Sequence, residues 1–382
     1  MPRPRSTPNP RRQSYVFSID AFDRFRGWPM AAIPTRLVMA PTWERAAVLF
    51  FSLVLLVDCV REVALYGANP IKWDLMLTSG LVALIIGIRG SQGIPGRLAR
   101  TLARLRNRDV IHPKGVNDAD VIAGIIQAAF RRGMVCGPLV GVLILTGWLI
   151  THRFHLSKDQ VLLAGIEAVG GIVAGIYLGQ MTAYGTLRQV LQEHGMSVRV
   201  TPGHPDGAAG LKPLGNFYLF QASIAAIPAI YLGAWVVLIP ALPALDYGGW
   251  ESWFLWGLLP VAIAFEVLAF IWPMVGFHHE MKMQKLTLLD EADQFTEAIR
   301  ELQIKLPKMK SADEVENARR KLESLGDIYR DREEMPTWPI DQGIRRRFTL
   351  SNGILILLPI ASKVLNLPET LRNIIEKLGE HG

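Results

Sequence analysis

Cysteine is almost absent from the 382-residue chain, which contains only Cys59 and Cys136. Both lie inside apolar runs, so the sequence provides neither a disulfide framework nor a zinc site built on cysteine. Common enzyme motifs are missing as well, since the chain has no P-loop, no Gly-x-Ser-x-Gly and no His-Glu-x-x-His. We therefore predict a protein that is not an enzyme and that holds no metal or other cofactor.

Charged residues are also scarce. They make up 20% of the chain, against about 25% in an average soluble domain, whereas hydrophobic residues make up 50%. The mean hydropathy is +0.23, and the apolar residues gather in long runs separated by basic segments. This pattern excludes a single soluble globule, a disordered chain and a collagen-like fibre. The first 45 residues are basic and rich in proline, and they lack the apolar core of a signal peptide. We predict an all-α integral membrane protein with sizeable aqueous parts.

Six apolar runs are long enough for transmembrane helices, which need about 20 residues each. These runs cover approximately residues 46–66, 71–88, 134–150, 161–184, 217–240 and 253–277. Trp and Tyr residues cluster near several of their ends, as expected at membrane interfaces. A seventh run, residues 353–361, is too short to cross, and we predict that it forms an interfacial or re-entrant helix.

The basic residues predict the orientation of these spans. With six crossings, 37 of the 41 Lys and Arg residues fall on one side of the membrane. The positive-inside rule places that side, and both termini, in the cytoplasm. The predicted parts are a basic cytosolic segment (1–45), a transmembrane domain (46–277) with inner amphipathic helices (97–132), a cytosolic helical hairpin (278–337) and a C-terminal interfacial amphipathic segment (338–382).

The predicted hairpin rests on two apolar seams with helical spacing. The first seam ends at Pro307 and consists of Leu288, Ala292, Phe295, Ile299, Leu302 and Leu306. The second follows a capping box that begins at Ser311 and consists of Val315, Ala318, Leu322, Leu325 and Tyr329. Each seam is too short for a long coiled coil. The two helices therefore fold on each other as a hairpin, or they pack across subunits.

An arginine face on a predicted helix is a candidate site for an anionic ligand. The face comprises Arg97, Arg100, Arg104 and Arg108, and a second amphipathic helix ends in Arg131 and Arg132. One interpretation is that these residues bind the anionic inner leaflet of the membrane. The alternative is that they bind nucleic acid or a nucleotide. Membrane lipids and nucleic acid are thus the predicted partners of this surface.

The fourth span carries a stripe of small residues, Gly171, Gly175 and Gly179, with Glu167 one turn earlier on the same face. Small residues at this spacing let helices approach closely. A carboxylate inside a span is expensive and faces a partner helix, a cavity or a pore. We predict that this stripe lies at a helix interface or beside a conduit, and both packing within one subunit and packing between subunits remain open.

Two more acidic residues lie inside spans. Asp58 shares a face of the first span with Arg61 and Glu62, either as an internally paired cluster or as a charged pore mouth. Glu266 lies in the sixth span between Pro260 and Pro273. These prolines are expected to bend or break the helix and to free carbonyl groups, which are tolerated only against protein or water. A conduit beside Asp58 or Glu266 is therefore one interpretation, and a static kink is the other.

The segment between the fourth and fifth spans reads His204-Pro-Asp206-Gly-Ala-Ala-Gly210-Leu, which is typical of a turn. It resembles a His-Pro-Asp-x-Ala-Gly-Gly-Leu motif of bacterial polytopic inner-membrane proteins, most of them uncharacterised. These proteins also carry a Trp-Pro-x-Asp segment, which here is Trp338-Pro-Ile-Asp341. The resemblance implies a multi-pass protein of the bacterial inner membrane and brings no activity with it. His204 and Asp206 alone are too few ligands for a metal site.

These features predict a homo-oligomeric membrane channel or pore that an anionic ligand gates from the cytosol. Bacterial anti-phage defence effectors use such a layout, so this part of the prediction is an analogy of architecture. The first alternative is a non-conducting scaffold or receptor that recruits a partner through its cytosolic helices. The second alternative is a membrane-embedded enzyme that acts on lipids through His204 and Asp206.

Overall fold

The computed structural model describes residues 41–67, 74–113, 118–151, 158–193, 195–242, 252–364 and 370. Nearly all of this chain is helical, which confirms the predicted all-α class. The α-helices are α1 Pro41–Tyr66, α2 Leu75–Gln92, α3 Ile94–Asn107, α4 Asp118–Thr151, α5 Lys158–Gly185, α6 Leu187–Glu193, α7 Lys212–Ala225, α8 Ile227–Leu238, α9 Leu259–Lys305, α10 Ala312–Glu333 and α11 Gln342–Val364. Two short strands, β1 Ile111–Pro113 and β2 Met196–Val198, form the sheet of the described chain.

Four helical segments of the described chain are long and apolar enough to cross a membrane: Leu75–Asn107, Gly124–Ile150, Gln160–Gly185 and Phe254–Lys308. A fifth is added if α7 and α8 count as one bent span. These helices are consistent with a multi-pass membrane protein. The first predicted run is also helical, as α1, but Asp58, Arg61 and Glu62 interrupt its apolar sequence. Most of predicted segment 1–45 and residues 371–382 lie outside the described residues.

Proline shapes the last two predicted spans differently. The fifth run is bent by 41° between α7 and α8, next to Pro228, whose ring cannot donate a hydrogen bond and clashes with the preceding turn. The sixth run starts as a π-helical turn, Trp253–Leu258, and becomes α9 just before Pro260. From there α9 continues through Pro273 for 47 residues, so the break expected at Pro273 is absent.

Segments predicted to connect the spans fold against one end of the helices, where they form what we call the end layer (α3, β1, α6, β2 and the loop 199–211). Helix α3 buries Leu98, Leu102 and Leu105 in the largest apolar core of the described chain. β1 pairs with β2 in antiparallel register, with Ile111 opposite Val198. Because its leucines pack on protein, α3 leaves its arginine face outward.

Helix α10 folds back along the second half of α9. Every residue of the two predicted seams is buried or half-buried, so the apolar spacing identified the contact face. Arg332 donates a hydrogen bond to the Leu288 carbonyl at 2.9 Å. Lys285 Nζ donates to the carbonyls of Glu333 and Met335 at 2.6 and 2.9 Å. Ser311 occupies the N-cap position of α10, although its side chain makes no capping hydrogen bond.

Helix α11 is longer than the apolar patch that predicted it, since it has 23 residues rather than the nine of 353–361. It begins beside the end layer and packs along α8. Its Phe348 ring stacks on Phe270 of α9 at 4.2 Å. Asn352 is buried, whereas Leu350, Ile354 and Leu357 are exposed. The outward face of α11 is thus apolar at the level of the membrane helices.

Candidate functional site

Asp206 organises the turn that the sequence singled out. Its Oδ1 accepts hydrogen bonds from the backbone N–H groups of Ala208 and Gly210, each at 3.0 Å. This carboxylate closes the loop as an Asx turn does, and its side chain is only 7% exposed. Gly207 and Gly210 have φ values of 67° and 92°, in the left-handed region that favours glycine. The loop is therefore built around one buried acceptor.

Ala209 departs from the motif that the loop resembles, in which this position is glycine. The structure places it at φ 50°, where an L-residue with a Cβ atom pays about 1–2 kcal/mol. Gly210, beside it, is also sterically restricted, because a Cβ there would lie 2.8 Å from Cγ2 of Val110. The glycines of the motif are thus explained by backbone conformation and close packing.

Arg108 and His204 surround the Asp206 carboxylate. Arg108 Nη1 donates to Oδ2 at 2.7 Å, and His204 Nδ1 lies 2.9 Å from Oδ1. Nδ1 also lies 3.2 Å from the Asp206 backbone nitrogen; since one ring nitrogen cannot donate and accept at once, the two contacts are alternatives. Burial raises the pKa of Asp206, but N–H groups of Gly210 and Ala208 and the His204 ring outweigh it, so the pKa lies below its usual value.

The Trp-Pro-x-Asp segment docks on this same loop. Lys212 Nζ lies 2.5 Å from Asp341 Oδ2, and Asp341 Oδ1 accepts the Ile344 N–H at 2.8 Å as the cap of α11. Gly215 sits under the Pro339 carbonyl, which would be only 2.6 Å from a Cβ. Burial raises the pKa of Asp341, but Lys212 and the Ile344 N–H lower it further, to below its usual value. The two motifs, distant in sequence, therefore form one unit.

His278 attaches α9 to this unit. Its ring stacks on Trp338 at 4.3 Å with 20° between the planes, and its Nδ1 donates to the Thr337 carbonyl at 2.7 Å. We call the whole assembly the junction. Its members are Arg108, His204, Asp206, Lys212, His278, Trp338 and Asp341. Within the described ranges, no group of three or more His, Cys, Asp or Glu residues is arranged to hold a metal.

The glycine stripe of the fourth span packs on α4 of the same chain. A Cβ at Gly175 would lie 2.6 Å from the Cys136 carbonyl, and one at Gly179 would lie 2.5 Å from the Arg132 carbonyl. A Cβ at Gly171 would meet Ile144 at 2.3 Å. Helix α4 carries a matching stripe of glycines that lie close to α5: Gly133, Gly137 and Gly141. The backbones thus approach along both stripes, within one subunit.

Glu167 belongs to the same helix pair. Trp148 of α4 donates its indole N–H to Glu167 Oε2 at 2.6 Å. The carboxyl group therefore faces a neighbouring helix of the same chain. This contact gives Glu167 a structural partner at the end of the stripe and does not place it beside a conduit.

The two other predicted acids are buried in different places. Asp58 is 5% exposed and accepts a hydrogen bond from Thr78 Oγ1 of α2 at 2.9 Å. Glu62 is 2% exposed, while the Arg61 side chain near it is 60% exposed. Glu266 is 1% exposed and accepts a hydrogen bond from Asn352 of α11 at 3.2 Å. The structure does not bring Asp58, Glu167 and Glu266 together.

The predicted anionic-ligand residues divide into two groups. Arg97, Arg100, Arg104, Arg108 and Arg131 are exposed, and Arg132 is half-buried. Three contact other segments of the protein: Arg97 covers the Phe220 ring at 3.5 Å, Arg108 pairs with Asp206, and Arg132 donates to the Thr182 carbonyl at 2.8 Å. Arg100, Arg104 and Arg131 remain as the outward cations of this surface, and Arg100 Nε donates to the Gly96 carbonyl of its own helix at 3.2 Å. Ligand binding by these residues stays a prediction.

Several residues of these sites were missed by sequence reasoning. The spacing of Gly133, Gly137 and Gly141 in α4 was visible, since it repeats the four-residue interval of the stripe on α5. Asn352 and His278 carried no such signal, because their partners lie 86 and 59 residues away.

Comparison with known proteins gives no relative: no family model, no curated protein and no solved structure matches the chain.

Proposed function

We propose that the protein is a membrane transducer of the receptor or scaffold type, in which a cytosolic helical hairpin recruits a partner and is mechanically coupled to the membrane domain. The observation that carries this proposal is α9. It is one uninterrupted helix of 47 residues, about 70 Å long at 1.5 Å per residue. Its first half contributes to the membrane-level helices, and its second half forms the hairpin with α10.

The middle of α9 is bound to the end layer by side chains. Arg188 of α6 pairs with Glu280 at 3.2 Å. Gln284 donates to the Val198 carbonyl and accepts the Val200 N–H, so it joins the edge of β2. Tilting the hairpin would strain these bonds and the His278–Trp338 stack together. A displacement of the hairpin is therefore expected to reach the loops between the spans.

Contacts between connecting segments support six crossings by α1, α2, α4, α5, the bent α7–α8 pair and α9. Gln92 at the end of α2 bonds the Glu44 carbonyl near the start of α1. Arg108 reaches Asp206, and Arg188 reaches Glu280. Each contact joins two segments that are separated in sequence by two spans, so the joined segments lie on the same side of the membrane. The basic count makes that side cytoplasmic, and the resemblance supports the bacterial inner membrane.

We further infer a seventh crossing by α11, which is not among the segments counted as long and apolar enough to cross but packs along α9. Phe348 stacks on Phe270, and Asn352 bonds Glu266. These two contacts show that α11 runs antiparallel to α9, four residues of one helix corresponding to four of the other. At this register the end of α11, Val364, lies at the same height as the π-helical turn that precedes α9. The 23 residues of α11 extend about 34 Å, enough for a hydrocarbon core of about 30 Å.

This topology places the N-terminus and the hairpin in the cytoplasm and the C-terminus outside, whereas six crossings alone keep both termini inside. Single cysteines at Ser324 and at His381, in a chain with Cys59 and Cys136 replaced by serine, decide between the two. A membrane-impermeant maleimide added to intact cells should label position 381 and not 324. Labelling at neither position would show that α11 does not cross the membrane and would favour an interfacial helix.

Coupling between the hairpin and the membrane domain is tested by hydrogen exchange. The guanidinium carbon of Arg332 lies over the Phe295 ring, 5.1 Å from the centre of that ring. Replacing it, Phe295→Ala, should increase exchange in the hairpin and also in the loop 196–211. Ile304 is 55% exposed on the same helix, so Ile304→Ala is the matched control. Changes confined to residues 286–333 in Phe295→Ala would contradict the transducer.

A homo-oligomeric channel gated by an anionic ligand is the second candidate. The observation that favours it is the set of buried acids in α1. Asp58 and Glu62 are almost fully buried at the level of the spans, and Glu62 Oε2 has no hydrogen-bond partner among the described residues. Ionisable groups at this depth mark ion pathways in many membrane proteins. Arg100 and Arg104 would then hold the gating anion.

Ion flux through liposomes separates the two candidates. The channel requires flux by the purified protein, reduced in Glu62→Gln and unchanged in Glu167→Gln, whose carboxyl is bonded to Trp148. The transducer predicts no flux with an intact protein. Flux that survives Glu62→Gln would remove the observation on which the channel rests.

A further inference from the structure

A cavity of about 370 Å³ lies between α7, α8, α9 and α11, a volume in the range of small-molecule sites. Its walls are mainly apolar, and Glu266 is the charged residue among those that line it. Ser223, Ile230 and Ile354 are exposed and form its rim. Because these rim residues are exposed, the cavity opens to the surface of α7, α8 and α11, which faces lipid in the proposed topology.

The polar groups that line this cavity, and Asn352 next to Glu266, offer hydrogen-bond acceptors and no free donor. Glu266 is 1% exposed, and its Oε2 has no hydrogen-bond partner among the described residues. Asn352 donates its amide to Glu266 Oε1 and to the Phe348 carbonyl, which leaves its Oδ1 buried and unpartnered. The Ser223 and Ser351 hydroxyls already donate to backbone carbonyls of their own helix. The residues around the cavity thus offer acceptors to a ligand and supply no free donor.

We propose that this cavity binds a membrane-soluble organic cation, a protonated primary amine on an apolar body. The ammonium group donates to Glu266 Oε2 and compensates the buried carboxylate, which is costly when left unpaired. The apolar body packs against Phe348 and Leu355 and against the small residues of α7 and α8. Asn352 positions this carboxylate, because its amide holds Oε1 and leaves Oε2 free to accept from the ligand. The ligand enters through the rim from the bilayer.

Binding of 2-phenylethylammonium to the full-length protein in nanodiscs tests this proposal. A fluorinated ring gives a 19F signal whose broadening reports the bound fraction, and the neutral alcohol 2-phenylethanol has nearly the same shape. The cation should bind at least tenfold more tightly than the alcohol, since a hydrogen bond to a charged group supplies that ratio. Glu266→Gln should reduce cation binding about tenfold and leave alcohol binding unchanged. Glu167→Gln, at a half-buried carboxyl group outside the cavity, is the control that keeps both.

If Glu266→Gln does not fold, Ala222→Leu replaces it as the test. The larger side chain would fill part of the cavity that Ala222 lines, and it should abolish binding of both compounds. Equal affinities for the cation and the alcohol would overturn the site, as would undiminished cation binding in Ala222→Leu or in folded Glu266→Gln.

Discussion

The packing of α4 against α5 predicts a large effect of a single methyl group. In Gly175→Ala the new Cβ would lie 2.6 Å from the Cys136 carbonyl oxygen and 2.9 Å from Gly137 Cα. Both neighbours are backbone atoms, so no side-chain rotation relieves the clash and the helices must separate. We expect a loss of about 1–3 kcal/mol in the free energy of unfolding, the usual cost of overpacking. Gly165 is on the same helix, and a Cβ there would meet nothing within 4 Å.

Gly165→Ala is therefore the matched control, and it should leave stability unchanged or raise it by roughly 0.5–1 kcal/mol, because alanine is the better helix former. Unfolding of both variants in detergent by titration with sodium dodecyl sulfate measures the difference, and chemical cross-linking reports the oligomeric state. We expect Gly175→Ala to destabilise the subunit itself. Equal stability of the two variants would refute it, as would dissociation of an oligomer with an unchanged subunit.

Three further predictions concern the end layer. Asp206→Ala removes the acceptor of the Ala208, Gly210 and Lys212 N–H groups and the partner of Arg108, so unfolding should become easier by about 2–4 kcal/mol, because buried donors are left unpaired. Because the pKa of Asp206 is lowered, its contribution is full above about pH 4 and declines as the pH falls through the folded-state pKa. Urea titrations between about pH 2 and pH 7 should therefore show a smaller loss of stability on acidification in the variant than in the wild type, since Asp341, whose pKa is also lowered, still contributes. Ala209→Gly should stabilise the protein by up to about 1 kcal/mol, because the φ of 50° suits glycine, and a destabilised variant would contradict this. Charge reversal of Arg100 and Arg104 should abolish salt-sensitive binding to anionic vesicles or to nucleic acid, and unchanged binding in a pelleting assay would exclude this face.

Sequence patterns predicted elements whose signal is local. Apolar runs coincided with the four or five helical segments of the described chain that are long and apolar enough to cross a membrane. The seams Leu288–Leu306 and Val315–Tyr329 matched the contact faces of the hairpin, because burial along a helix repeats every three or four residues. The glycine spacing of α5 identified a close helix contact in the same way. Which helix it contacts was left open, since the matching glycines of α4 gain meaning only when the two helices are aligned.

Contacts between distant segments were not predictable. Asp206 was assigned to a turn, but nothing in one sequence shows that Arg108 reaches it or that the segment around Asp341 docks on the same loop. The length of α11 was underestimated for a related reason. Asn352 lowers the apolar character of its first half, and its burial follows from Glu266 on another helix. Polar residues that are satisfied by remote partners look like surface residues when only neighbours in sequence are considered.

The coupling of the hairpin to the membrane domain is tested most directly by a distance between them. Spin labels at Gln189→Cys in α6 and Ser324→Cys in α10, with Cys59 and Cys136 replaced by serine, allow pulsed electron paramagnetic resonance to measure the distribution of that distance. We expect one narrow peak in the otherwise unchanged protein. Gln284→Ala, which removes the bonds to β2, should broaden it, and Gln303→Ala at an exposed position of α9 should not. A broad distribution before any change at Gln284 would contradict a coupled hairpin.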